Sequence, residues 1–196
     1  MITLADVSRN VPVTATWTEM LRIAFGLAVE QRTGIVLIKP GIEVPPETMA
    51  GLIERAATMI CAPTVIDAKN PRLELTHTLA AGFPDMKYQM GTHDSSTGAV
   101  PVNCFDHGII AAPCSALLEV GNFDPGFIEY LTICDWTVRA RWHGLSVHLC
   151  HDLTVSAPNL LPFTAVYRDR EAEMALLDRT HFERKWGGAV LRNVTE

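Results

Sequence analysis

The stretch from Phe105 to Val147, FDHGIIAAPCSALLEVGNFDPGFIEYLTICDWTVRARWHGLSV, decides the fold. Its first part closes a strand expected over Val102 to Ala111. Ala116 to Val120 reads as a short helix, Cys134 to His143 as a longer one, and the chain from Ser146 to Val155 alternates as a strand does. Outward from this stretch the same alternation continues. Met20, Leu21, Ala24, Leu27 and Ala28 recur at helical spacing within Glu19 to Gln31, with Thr18 as the expected N-cap. Gly34 punctuates, Ile35-Val36-Leu37-Ile38 is a short apolar strand, and Pro40-Gly41 turns the chain. Pro45-Pro46-Glu47 starts a second helix running to about Met59. Cys61 to Asp67 is another strand, which Asn70-Pro71 ends. Thr76 to Gly98 has no clear period, and its polar end from Gly91 to Gly98 reads as an exposed loop. Glu171 to Lys185 is a last helix, ended by Gly187-Gly188. Strands alternating with helices predict an α/β sheet, here as one domain over residues 1–196.

Composition excludes several classes. The chain has 196 residues, 48% hydrophobic and 19% charged, enough to bury one substantial core. Mean hydropathy is +0.15, yet no apolar run approaches the roughly 18 residues of a membrane span. The start, MITLADVSRN, lacks the basic and apolar regions of a signal peptide, so a cytoplasmic location or a place within a larger assembly is expected. A net charge of -6 argues against nucleic acid as a partner. The five cysteines, Cys61, Cys104, Cys114, Cys134 and Cys150, include no C-x-x-C pair. That argues against a zinc site or a complete disulfide framework, and small buried hydrophobes in a reducing compartment are expected.

Val120-Gly121-Asn122-Phe123-Asp124, followed by Asp135, Arg139, Gly144 and Val147, resembles the second half of a family 2 glycosyltransferase domain of the GT-A fold. There V-G-x-F-D precedes an acidic catalytic loop and a helix with D-L-x-x-R-x-x-x-x-G-Y-x-V. Upstream, AFGLAVEQRTGIVLIKPGIEVPPETM resembles the stretch where a helix feeds the strand carrying the family's D-x-D motif. CAPTVIDAKNPR resembles the next strand, and HFERKWGG the tail. The resemblance covers about Trp17 to Gly188 and is specific around Gly121 to Gly144. It implies a GT-A-like, partly Rossmann-like mixed sheet flanked by helices, with the N-terminal nucleotide-binding half truncated. Only sixteen residues precede Trp17, too few for two βα units, although Ile2 to Val7 fits one further strand.

The resemblance keeps the scaffold and departs at the chemistry. Lys39-Pro40-Gly41 stands where carboxylates would hold a divalent cation against a diphosphate. Lys39 either offsets diphosphate charge as a point cation or merely closes a strand edge ahead of a turn. The base that would deprotonate an acceptor falls at Ile133, beside Thr132, and neither side chain accepts a proton. Asp135 matches the second acidic position, and a one-residue slip would bring Asp135 or Glu129 to the site. The implied groove for donor or acceptor involves Lys39, Glu43, Thr132 and Trp136, bordered by the Gly91 to Gly98 loop, with Asp135 as the one catalytic candidate. Trp136, Trp142 and Trp186 either stack on sugars or pack in the core. His148, Cys150 and His151 make only a weak Cys/His constellation, because strand alternation sets His151 on the opposite face. Asp106-His107 reads as a strand-end turn. The expectation is therefore a glycosyltransferase-like domain that has lost catalysis and binds a glycan or a protein partner, or assembles as a homo-oligomer. Neither a metal nor another cofactor is expected. The alternative is a split or truncated enzyme, completed by a partner chain, that uses a nucleotide-sugar and Mn or Mg.

Overall fold

The computed structural model describes residues 15–39, 42–67, 73–76, 89–92, 98–105, 108–157 and 169–186. The first helix, α1 (Trp17–Gln31), begins at a capping box. The Thr16 hydroxyl accepts from the Glu19 N–H at 3.2 Å, and the Glu19 carboxylate accepts from the Thr16 N–H at 2.7 Å. The cap is thus Thr16, not Thr18. Thr18 instead lies inside the helix with its hydroxyl 2.6 Å from that of Thr132. Arg32, in the left-handed region at φ 52°, ends the helix. Gly34 follows because a Cβ there would lie 2.5 Å from the Ala56 carbonyl oxygen.

Strand β1 (Ile35–Ile38) has the limits expected of it. Helix α2 (Pro46–Arg55) starts with Pro in its first turn and stops four residues short of Met59, where residues 56–58 turn into β2 (Ile60–Asp67). Two unexpected strands, β3 (Leu73–Thr76) and β4 (Gln89–Thr92), pair antiparallel, so Gly91 and Thr92, read as the start of an exposed loop, belong to a strand instead. The single strand expected over Val102 to Ala111 is in fact two, β5 (Ala99–Val102) and β6 (Ile109–Ala112). They pair with different strands, so the chain between them must cross the sheet, and Gly108 at φ 77° re-enters it. Helices α3 (Cys114–Val120) and α4 (Thr132–Trp142), strand β7 (Val147–Ala157) and helix α5 (Asp169–Trp186) complete the described elements.

The seven strands form one mixed sheet. β6 runs antiparallel between β1 and β2, while β7 pairs parallel with β2 along its length. Hence β1, β2 and β7 point the same way. The other edge of β2 is divided, with β6 opposite Cys61 and β3 opposite Ile66. β5 lies antiparallel on the far side of β7. The sheet is covered on both faces, which explains the uniformly apolar β6. Ile110 and Ala112 pack with Leu21, Ala24, Leu117 and Trp136 from α1, α3 and α4. Ile109 and Ala111 pack with Leu52 of α2 and Val155. Each fully buried Leu or Ile among these contributes about 1.5–3 kcal/mol of transfer free energy. Among the described residues no helix is long and apolar enough to cross a membrane.

Candidate functional site

In sheets with parallel strands, ligands bind beyond the strands' carboxyl ends. Lys39 stands at that end of β1. Its N–H donates to the Gly108 carbonyl at 2.7 Å, so the strand's last residue is fixed against the start of β6. Its ammonium lies 2.6 Å from the Glu129 carboxylate and 5.1 Å from the centre of the Tyr130 ring. The second Glu129 oxygen accepts from the Trp17 N–H at 3.1 Å, at the positive start of α1. Side chains of Lys39 and Glu129 are 29% and 23% exposed, so water reaches this pair.

The loop carrying Glu129 and Tyr130 has an unusual support. The carboxylate of Asp178, fully buried on α5, accepts from the backbone N–H groups of Ile128, Glu129 and Tyr130 at 2.7, 2.8 and 2.7 Å. Three converging N–H groups make an anion-binding concavity, and this chain fills it with its own side chain. The next residue, Leu131, is left-handed at φ 59°, a conformation costly for a side chain with a Cβ and held only by its surroundings. It leads directly into α4.

On the other side of α4, Asp135 is fully buried. Its oxygens accept from Trp186 Nε1 at 2.8 Å, Lys185 Nζ at 2.7 Å and Arg139 Nε at 3.1 Å. Arg139 also donates to the carbonyls of Val120 and Asn122 at 3.0 and 2.8 Å. Trp136 donates its indole N–H to Gly121 O at 2.8 Å. The V-G-N-F-D turn is thereby clamped from α4. Gly121 has φ 80° and ψ -175°, which only glycine adopts readily. Asp124 accepts from Gly126 N–H, Lys185 and His181. Burial opposes its charge, but these partners outweigh that and hold the carboxyl below the ordinary range.

The sequence-derived candidates therefore separate. Lys39 meets Glu129, the residue reached only by a register slip. Glu43 is exposed. Thr132 is 1% exposed and bonded to Thr18, and Trp136 is buried with its ring 5.7 Å from that of Phe123. Both serve the core instead of lining an open groove. Trp142 is exposed and lies 5.6 Å from the ring of Trp186. Pro40, Gly41, Asp106, His107, residues 93–97, residues 2–7 and Gly187-Gly188 lie outside the described residues. Among the described residues no group of three or more His, Cys, Asp or Glu side chains could hold a metal ion.

Near β7, Arg55 forms a two-pronged ion pair with Asp152, one contact at 3.0 Å. The hydrogen bond to Arg55 lowers the Asp152 carboxyl. A hydrogen bond from Cys61, followed by the charge of Arg55, lowers the buried Cys150 thiol. Thr64 lies 3.3 Å from His151 Nδ1 across a bulge in the β2–β7 ladder. The first contact ties α2 to β7, and the Thr64–His151 contact ties β2 to β7.

Sequence reasoning missed the contribution of α5. Asp178 holds the loop and Lys185 and Trp186 hold the helix, yet only Trp186 was singled out in the sequence, as a sugar-stacking or core residue. The single available signal was Trp186 within the HFERKWGG tail. No known protein family matches this chain, and no curated protein does.

Proposed function

We propose that the chain is a GT-A-like scaffold that has lost sugar transfer and acts as a binding or assembly module for a glycan or a protein partner. The observation that carries this reading is Asp135. The one carboxylate retained from the family's acidic pattern is fully buried and spends both oxygens on Trp186, Lys185 and Arg139. A general base must reach the proton it removes, and this group has no open side. Its neighbours Thr132 and Ile133 are buried as well. The test is calorimetric titration of the chain with nucleotide-sugars, with and without Mn²⁺, alongside a transfer assay. Neither Mn²⁺-dependent heat nor turnover is expected, and either one would overturn the reading.

A second reading, a split transferase completed by a partner chain, draws support from one contact. Lys39 and Glu129 pair in a partly exposed position at the end of β1, where the family resemblance sets the donor diphosphate. In that case Lys39 supplies the positive charge and Glu129 is the base. Turnover that is lost in Glu129→Gln but survives chelation of divalent ions is the signature of this alternative.

A further inference from the structure

We propose that Cys104 and Cys134 form a peroxide-responsive dithiol, which closes to an intramolecular disulfide beneath the loop bearing Glu129 and Tyr130. Cys104 lies in the connection after β5 and Cys134 in the first turn of α4. Though separated by 30 residues in sequence, their sulfurs are 3.3 Å apart. Both are thiols and both are buried, at 1% and 0% exposure. Their surroundings are apolar: Phe127, Leu131, Val138, Phe182 and Trp186, with Tyr130 packed against the cluster. The fold has therefore already brought two distant thiols together, and an S–S bond needs a further approach of only about 1.3 Å.

The chemistry balances with hydrogen peroxide as oxidant. One thiol, giving up its proton to water when the site opens, attacks a peroxide oxygen as the thiolate and breaks the O–O bond; it becomes a sulfenic acid, and the expelled hydroxide takes up that proton and leaves as one water. The second thiolate attacks the sulfenic sulfur, forming S–S and breaking S–O, and the expelled hydroxide leaves as a second water. Two thiols are oxidised by two electrons and one peroxide is reduced. A small oxidant suits a buried pair, because local opening of the connection at Cys104 suffices to admit it. The bond would tie this connection, which runs on to Gly108 and the backbone contact with Lys39, to the start of α4. Both flanks of the β1 end would then be joined covalently.

Cys114 provides an internal reference, since it is partly exposed. The reduced full-length chain is treated with graded hydrogen peroxide until Cys114 is oxidised, then denatured, alkylated, digested without reductant and mapped by mass spectrometry. The expected product is a Cys104–Cys134 linked peptide from monomeric chains. The oxidised protein should melt roughly 7–15 °C above the reduced form, the shift expected when a loop of this length is closed. Dithiothreitol should reverse the gain, and Cys104→Ser should abolish it. If Cys114 is oxidised while Cys104 and Cys134 both remain open to alkylation, the proposal fails. It also fails if either residue links to a different cysteine or to a second chain.

Discussion

Two charged clusters flank the start of α4, and they differ in how fully they are enclosed. Around Asp135 the carboxylate is fully buried and meets Lys185, Arg139 and the Trp186 indole, while Arg139 reaches on to two backbone carbonyls. Around Lys39 there is one ion pair, partly exposed on both sides, with an aromatic ring below it. The residue types are nearly the same. Burial of the carboxylate makes the first a structural joint: Asp135 has no access to water, so removing one of its donors leaves a buried charge short of a partner, although Arg139 and Lys185 themselves are partly exposed. Water makes the second weak and replaceable, as a binding position must be if a ligand is to displace an internal partner.

The largest effect should come from Asp135→Ala. It takes the acceptor from the buried Trp186 N–H and the carboxylate from Arg139, while Lys185 keeps Asp124, and should cost about 3–5 kcal/mol in urea unfolding. A loss below about 1 kcal/mol would dissolve the contrast between the two clusters. Acid should expose the same joint through Asp124, whose carboxyl is lowered in the fold. Such a group contributes fully above its unfolded value near 4, and the contribution is lost as pH falls through the lower folded value. Thermal stability should therefore fall more steeply below about pH 4 in the wild type than in Asp124→Asn. Parallel slopes would remove Asp124 from the joint.

A change of backbone conformation should matter less. Gly121→Ala should cost about 1–3 kcal/mol because of its positive φ alone, since nothing lies within 4 Å of the added Cβ. An unchanged melt would show that the turn relaxes despite the clamp from Arg139 and Trp136. The smallest effect belongs to the β1 end. A double-mutant cycle of Lys39→Ala and Glu129→Ala should give a coupling below about 1 kcal/mol. A coupling of several kcal/mol would place this pair in the same class as Asp135.

What was legible in the sequence follows the range of the interactions. β1 was delimited correctly, because a four-residue apolar run between Gly34 and Lys39 has local boundaries. The start of α1 reads two residues late in the sequence, with Thr18 as the cap where the structure has Thr16. The spacing of Thr16 to Glu19 is the capping-box signature and should have decided it. The split between β5 and β6 was hidden, since both halves have strand character and only their different partners separate them. Arg139 fixes the F-D turn through the carbonyls of Val120 and Asn122, 19 and 17 residues earlier in the chain. The anchors on α5 were not legible. Asp178 acts on backbone groups 48 to 50 residues earlier, and no local pattern marks a carboxylate that will fill a distant concavity. For the same reason Thr132 and Trp136 read as groove residues, although α1 and the Gly121 turn claim them for the interior.

The placement of Asp178 has a consequence for the order in which the molecule assembles. Strands β1 to β7 and helices α1 to α4 precede α5 in the chain, and synthesis proceeds from the N-terminus. The sheet can thus form while the loop at residues 128–130 still lacks the carboxylate that gathers its three N–H groups. Only after α5 emerges and docks does Glu129 acquire a fixed backbone from which to meet Lys39. A chain cut before residue 169 would keep all seven strands but lose the carboxylate that fixes the backbone of Glu129 opposite Lys39.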